Sequence, residues 1–71
     1  MTDNKVEKLG RLVQQARKEQ GLTQEQLAAT SGVGVRFIRE LEHGKATCQI
    51  GKALTVVSML GLDVLVAGKA L

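Results

Sequence analysis

The chain has 71 residues and a formal net charge of +3, so it allows one domain with one small core and little room for an enclosed active site. Phe37 is the only aromatic residue and proline is absent, so the core must be aliphatic, which suits packed helices. The single cysteine, Cys48, excludes an internal disulfide and a thiolate-rich metal site, and the mild positive charge favours a polyanionic partner.

A first helix is predicted over residues 5–20, after a frayed start at residues 1–4. Gly10 costs this helix about 1 kcal/mol relative to alanine without breaking it, and Gly21 can end it in the left-handed cap conformation. Basic residues, Arg17 among them, are assigned to the solvent face. Apolar residues recur at the three- and four-residue spacing of an amphipathic helix, and they are Val6, Leu9, Leu12, Val13 and Ala16.

Two short helices are predicted over residues 24–30 and 35–42, separated by a turn that contains Gly32. Thr23 and Gln26 have the spacing of a capping box at the start of the first of them. The order of small, glycine and branched residues suits two helices that cross at a steep angle, and a plain helical hairpin is the alternative. The residues expected to pack between them are Leu27, Ala28, Val33, Ile38 and Leu41.

The second helix of this pair carries the candidate DNA-reading residues. Since its apolar positions point inward, the helical period places Val35, Arg36 and Arg39 on the outer face, near the N-terminal end. That end enters the major groove of DNA in helix-turn-helix proteins. We expect each arginine to bind a guanine, at about 1–3 kcal/mol of discrimination, and Val35 to contact a thymine methyl group. Alternatively, Arg36 forms a solvated ion pair with Glu40, and Arg39 reaches a phosphate.

Five polar residues around this helix are candidate phosphate contacts. Gln24 begins the preceding helix, where free backbone amides and the helix dipole attract an anion. His43 follows the recognition helix, and Lys45, Thr47 and Gln49 lead into the next one. Each of them can instead be an ordinary exposed residue, and His43 can simply cover the end of its helix.

A fourth helix is predicted over residues 49–60, with Phe37 packed against its start. Its inward stripe is expected to contain Ile50, Ala53, Leu54, Val57 and Leu60.

A short strand is predicted over residues 62–67. It has apolar side chains on both faces and therefore needs a partner edge, although a disordered or folded-back tail is the alternative. We therefore divide the chain into a DNA-binding domain, residues 1–61, and a dimerisation segment, residues 62–71. The candidate dimer contacts are Leu62, Val64, Leu65 and Val66.

The segment LTQEQLAATSGV, followed by IRELEHGK, is similar to the lambda-repressor or Xre class of helix-turn-helix regulators. The similarity covers about residues 5–61 and implies an all-α, compact four-helix DNA-binding domain. In that class a serine or threonine commonly begins the recognition helix; Gly34 stands there in this chain, at a cost of only a few tenths of a kcal/mol.

The segment GLDVLVAG more closely resembles the HipB antitoxin subgroup, in which a C-terminal β-strand pairs with its copy across a dimer. The resemblance implies a homodimer that binds an inverted-repeat operator on double-stranded DNA, represses its own operon and binds a HipA-like kinase toxin. No residue of the chain by itself indicates a kinase partner.

The sequence also bears on two other classes of function. A protein-interaction module that mainly neutralises a toxin or an enzyme, with DNA binding secondary, remains an alternative. An enzyme is not indicated, because the chain has no paired acid–base residues, phosphate loop or nucleophile with a base at plausible spacing. No cofactor is expected. We expect a cytoplasmic protein, since no signal-peptide pattern or membrane-length apolar run occurs.

Overall fold

The computed structural model describes residues 4–71, which form four helices and one small β-hairpin. In chain order the elements are α1 (Lys5–Glu19), α2 (Gln24–Ser31), α3 (Val35–Glu42), α4 (Ile50–Met59), β1 (Leu65–Val66) and β2 (Lys69–Ala70). The predicted helical architecture is confirmed, and each helix boundary lies within one residue of the expected position. No helix in the described part of the chain has the length and apolar character needed to cross a membrane.

Local capping interactions define where the first two helices begin. The Thr23 hydroxyl accepts from the Gln26 amide at 3.0 Å, and the Gln26 side chain accepts from the Thr23 amide at 2.9 Å, which confirms the capping box. The Asn4 side chain accepts from two amides in the first turn of α1, so this residue caps the helix and the prediction of fraying is wrong there. The rest of the predicted frayed start lies outside the described residues.

The core is aliphatic and is shared by all four helices. Most of the predicted inward positions are buried, but Leu12 and Leu54 are exposed, and Ile50 is 76% exposed. Helical side chains lean towards the N-terminus of their helix, so the side chain of the first residue of α4 points beyond the helix rather than into the core. The buried apolar residues are Val13, Ala16, Leu27, Ala28, Ile38, Leu41, Ala53, Val56, Val57 and Leu60.

The contact between α1 and α3 is closer and more polar than expected. A Cβ atom on Gly10 would overlap the backbone carbonyl oxygens of Leu41 and Glu42, so this glycine permits the two helices to approach. Arg17, which was assigned to solvent, is only 8% exposed and forms an ion pair with Glu42. That assignment is wrong because the partner carboxylate is supplied by α3, and the periodicity of α1 carries no information about it.

The C-terminal segment forms a hairpin within the chain. The predicted strand over residues 62–67 is reduced to β1, which pairs antiparallel with β2 in the register Leu65↔Ala70 and Val66↔Lys69. The two residues between the strands, Ala67 and Gly68, both have positive φ, at 53° and 79°. Positive φ at both central positions is the geometry of a tight type I′ hairpin turn, so the chain folds back where a continuous strand was expected.

Candidate DNA-binding surface

The position of α3 is set by the turn that precedes it. Gly32 ends α2 in the left-handed conformation, with φ of 71°, and the amide of Val33 donates to the carbonyl oxygen of Ala28 at 3.1 Å. Val33 packs against the core, and Gly34 begins α3 without a side-chain cap. Because α3 packs against α1 and α2 on its inner side, its opposite side faces solvent.

The two predicted base-reading arginines lie on this outward side. Arg36 has 87% of its side chain exposed, and Arg39 is also exposed. Among residues 4–71 no side chain forms an ion pair or hydrogen bond with the Arg39 guanidinium. Val35 is different, because it is half-buried and packs against the core, which leaves only part of its side chain to face a ligand.

One carboxylate lies between two basic side chains on the same surface. Lys45 Nζ donates to Glu40 Oε2 at 3.0 Å, and Arg36 Nε donates to the same oxygen at 3.4 Å. The hydrogen bond from Lys45 is the main cause that holds the pKa of Glu40 below its ordinary value of 4.5. Glu40 is therefore ionised at neutral pH, and the ion pair between Arg36 and Glu40 is present in the structure.

Three of the predicted phosphate contacts lie together between the N-terminal ends of α3 and α4. Lys45, Thr47 and Gln49 are exposed and line a shallow groove of about 340 Å³, which Arg36 also lines; we call it the α3–α4 groove. Gln49 is the N-cap of α4 but makes no side-chain cap, so the first amides of that helix remain open to a ligand. Open amides at a helix N-terminus attract phosphate groups.

Sequence reasoning missed a further basic residue of this groove. Lys52 lies in the first turn of α4, and its Nζ is 5.9 Å from the centroid of the Phe37 ring. This is the range of a cation–π contact, and it places Phe37 against the start of α4, as predicted. A basic residue three positions after the helix N-cap was the signal that could have found Lys52.

The other two phosphate candidates are engaged elsewhere. Gln24 is half-buried, and its Nε2 donates to Glu42 Oε1 at 3.1 Å. His43 Nδ1 lies 2.7 Å from the carbonyl oxygen of Arg39, so the ring covers the last turn of α3. Neither residue lines the α3–α4 groove, and a phosphate contact from either of them stays a prediction.

A buried polar network fixes the far end of α3. Arg17 donates from Nε to Glu42 Oε2 at 2.6 Å and from Nη2 to Glu42 Oε1 at 3.1 Å. Arg17 Nη1 donates to the carbonyl oxygen of Leu22 at 2.8 Å, and Gln24 donates to the carboxylate of Glu42. The network therefore joins α1, the α1–α2 turn and the first residue of α2 to the last residue of α3.

Comparisons with known proteins identify the family of the chain. Residues 13–65 match the model of the family described as helix-turn-helix. The chain is 52% identical over 63 residues to the uncharacterized HTH-type transcriptional regulator y4mF of Sinorhizobium fredii (strain NBRC 101917 / NGR234), covering 86% of this chain and 83% of the relative.

Two solved structures are also similar. A chain of the HipA-HipB-O2-O3 complex superposes with a TM-score of 0.81 at 18% identity, over 94% of both chains. The restriction-modification controller protein C.AhdI from Aeromonas hydrophila superposes with a TM-score of 0.72 at 26% identity, over 82% of this chain and 88% of that one. The likeness to the chain of the HipA-HipB-O2-O3 complex concerns the fold alone. The region that matches the helix-turn-helix family contains α2, the turn and α3.

Proposed function

The chain belongs to the helix-turn-helix family of DNA-binding transcriptional regulators, and on this premise we propose that it is a homodimeric repressor that binds an inverted-repeat operator with sequence specificity. The observation that carries the proposal is the outward side of α3, where Arg36 and Arg39 are exposed one turn apart. Arginine is the residue that most often makes a bidentate contact with guanine in the major groove. In this proposal the two arginines read bases, and Val35 contributes a smaller apolar contact.

The α3–α4 groove supports the proposal, because it offers phosphate contacts next to the reading helix. Lys45, Thr47 and Gln49 present polar groups there, beside the uncapped N-terminus of α4. Phosphate contacts set the register and orientation of a protein on the duplex, while base contacts select the sequence. Gln24 and His43 are retained as additional phosphate candidates on the other sides of α3.

Apolar surface away from α3 supports dimerisation. Leu62, Leu65 and Val66 are exposed, while Val64 is partly buried against the core of its own chain. Leu62, Val64 and Leu65 line an apolar groove of about 480 Å³ beside α1, together with Leu9, Leu12 and Val57. Small monomeric proteins rarely leave a large continuous apolar surface in water, so we assign Leu62, Val64, Leu65 and Val66 to the contact between two copies.

A dimer also agrees with the way such domains read DNA. One helix-turn-helix unit covers one half-site, and two units related by two-fold symmetry bind half-sites about one helical turn apart. The hairpin uses one edge of β1 for β2, and among residues 4–71 nothing pairs with the other edge. In this proposal that edge is available to the second copy.

The experiment that tests the proposal is a titration of the full chain with two fluorescent duplexes, one from its own promoter and one with the same composition in scrambled order. We expect tighter binding to the promoter duplex, at a stoichiometry of two chains per operator. Equal affinity for both duplexes at 0.15 M salt would contradict sequence-specific repression.

We further propose a HipA-like kinase toxin as the partner of an autoregulated toxin–antitoxin operon. Its support is the resemblance of the C-terminal segment to the HipB subgroup, together with the shared fold. The adjacent gene product, co-expressed with this chain, should co-purify with it. Failure of an adjacent kinase-like protein to bind would remove the toxin assignment and leave the repressor assignment unchanged.

A second candidate function is a module that mainly neutralises a toxin or an enzyme, and the exposed apolar groove beside α1 favours it. The double variant Arg36→Ala/Arg39→Ala separates the two functions. Neutralisation of the partner that is unchanged in this variant would favour the second function, and loss of neutralisation together with promoter repression would contradict it.

A further inference from the structure

Glu40 is an unexpected residue on a surface proposed to approach DNA. It lies on α3 one turn after Arg36, and one of its two carboxylate oxygens, Oε2, accepts hydrogen bonds from both Arg36 and Lys45. Both cations belong to the proposed contact surface, one for a base and one for a phosphate. The carboxylate therefore cancels charge on two DNA-binding groups at once and adds a repulsive charge close to the phosphate backbone.

We propose that Glu40 is a specificity-determining residue, which holds Arg36 and Lys45 on the protein and releases them only where Arg36 finds a guanine. The inference rests on the proposed DNA-binding function. The inference assigns a role in DNA binding to Glu40, a residue that itself donates no hydrogen bond to DNA. The observation behind it is the position of Glu40 Oε2 between the two cations.

The physical basis is the difference in strength between the two contacts available to Arg36. An exposed ion pair between residues i and i+4 of a helix is weak, and a bidentate contact between arginine and guanine is stronger. At an operator guanine, exchange of the Arg36–Glu40 ion pair for a base contact is favourable, and Lys45 can then turn to a phosphate. At other base pairs this exchange gains little free energy, so Glu40 keeps both cations.

The effect should be largest on non-specific DNA. Binding that ignores sequence depends on the number of phosphates that lysine and arginine neutralise, because each neutralised phosphate releases condensed counterions. By holding Arg36 and Lys45, Glu40 lowers that number on every sequence that does not match the operator. The ratio of operator to non-specific affinity is therefore raised, at a small cost in affinity for the operator.

The test compares the full-length variants Glu40→Gln and Glu40→Ala with wild type on operator and scrambled duplexes, at several salt concentrations. The alanine variant is included because glutamine can itself hydrogen-bond to adenine. Glu7→Gln is the matched control, since it removes the same charge from an exposed position on α1 that lies beside Gly44 but does not line the α3–α4 groove. Thermal unfolding followed by circular dichroism verifies that each variant is folded.

The carboxylate carries one negative charge and therefore offsets one positive charge of the two cations that it holds. We expect both Glu40 variants to bind scrambled DNA about 5- to 10-fold more tightly at 0.1 M salt, the effect of one additional phosphate contact. The slope of log K against log salt should steepen by about 0.9. Operator affinity should change by less than about twofold, because in wild type the operator has already released both cations. The specificity ratio should therefore fall.

The outcomes separate this inference from the function on which it rests. The control Glu7→Gln should keep the wild-type ratio of operator to non-specific affinity. If wild type discriminates between the duplexes and both Glu40 variants also keep this ratio, Glu40 does not determine specificity, and only this inference is overturned. The same holds if the Glu40 variants lose thermal stability but keep the ratio, because the carboxylate then only ties the loop after α3 to the helix. If wild type itself does not discriminate, the proposed repressor function fails, and the inference fails with it.

Discussion

Arg17 binds Glu42 through two charge-assisted hydrogen bonds, of 2.6 Å and 3.1 Å, although 25 positions separate the two residues in the chain. Both side chains are almost fully shielded from solvent, at 9% and 1% exposure. The pair joins α1 to the end of α3, and Arg17 also donates to the carbonyl oxygen of Leu22. The orientation of the proposed reading helix therefore depends on a contact that lies outside the surface proposed to bind DNA.

Removal of one partner of this pair should strongly destabilise the domain. Glu42→Ala leaves a buried guanidinium without its carboxylate, and breaking a buried pair in this way costs about 3–5 kcal/mol, a large share of the stability of a small domain. The double variant Arg17→Met/Glu42→Met should lose much less, because no buried charge is left alone. Arg17→Met is the second single variant. Urea denaturation of wild type and of the three variants measures the differences in the free energy of unfolding. Equal losses for the single and double variants would contradict this account.

Gly10→Ala should lower the stability despite the better helix propensity of alanine. The gain of about 1 kcal/mol in propensity is outweighed by overlap of the new methyl group with the carbonyl oxygens of Leu41 and Glu42, and overpacking typically costs about 1–3 kcal/mol. Gly51→Ala is the control, since its Cβ would enter open space on α4. The midpoints of thermal unfolding should move in opposite directions, downward for Gly10→Ala and upward for Gly51→Ala.

Arg36→Ala and Lys45→Ala should impair DNA binding in different ways. The loss of Arg36 should relax the preference at one base pair and cost about 1–3 kcal/mol at the operator. The loss of Lys45 should weaken binding equally to all operator variants that keep the guanine bound by Arg36, and it should reduce the salt slope by about 0.9. Anisotropy titrations on single-substituted operators can separate the two patterns. A uniform loss for both variants would mean that Arg36 contacts a phosphate.

Leu65→Asp should convert the proposed dimer into a monomer. The side chain is 61% exposed on β1 and lines the apolar groove beside α1, so a charge there would be buried without a partner in the dimer. Thr30→Asp introduces the same charge at an exposed position on α2 and should leave the oligomeric state unchanged. Sedimentation velocity without DNA checks both variants. A dimer that persists in Leu65→Asp would place the contact between copies elsewhere.

The local features of the fold were predictable because they depend on neighbours in the chain. The capping box of Thr23 and Gln26 joins residues three positions apart, and Gly32 adopts the left-handed conformation that favours glycine. The outward position of Arg36 also follows from the helical period, since the inward residues of α3 fix the opposite side. The reversal at Ala67 and Gly68 was missed, because alanine is not a residue that usually indicates a turn with positive φ.

The sequence by itself determined the four helices, the capping box of α2 and the face of α3 that carries Arg36 and Arg39, because hydrogen bonds and side-chain periodicity within a helix are short-range. Only the tertiary structure decided the role of Gly10, the burial of Arg17 against Glu42, and the position of Glu40 between Arg36 and Lys45. In the first two cases the deciding groups lie on a different helix. In the case of Glu40, the path of the loop after α3 decides, because it brings Lys45 back to α3. The sequence does not show the path of this loop.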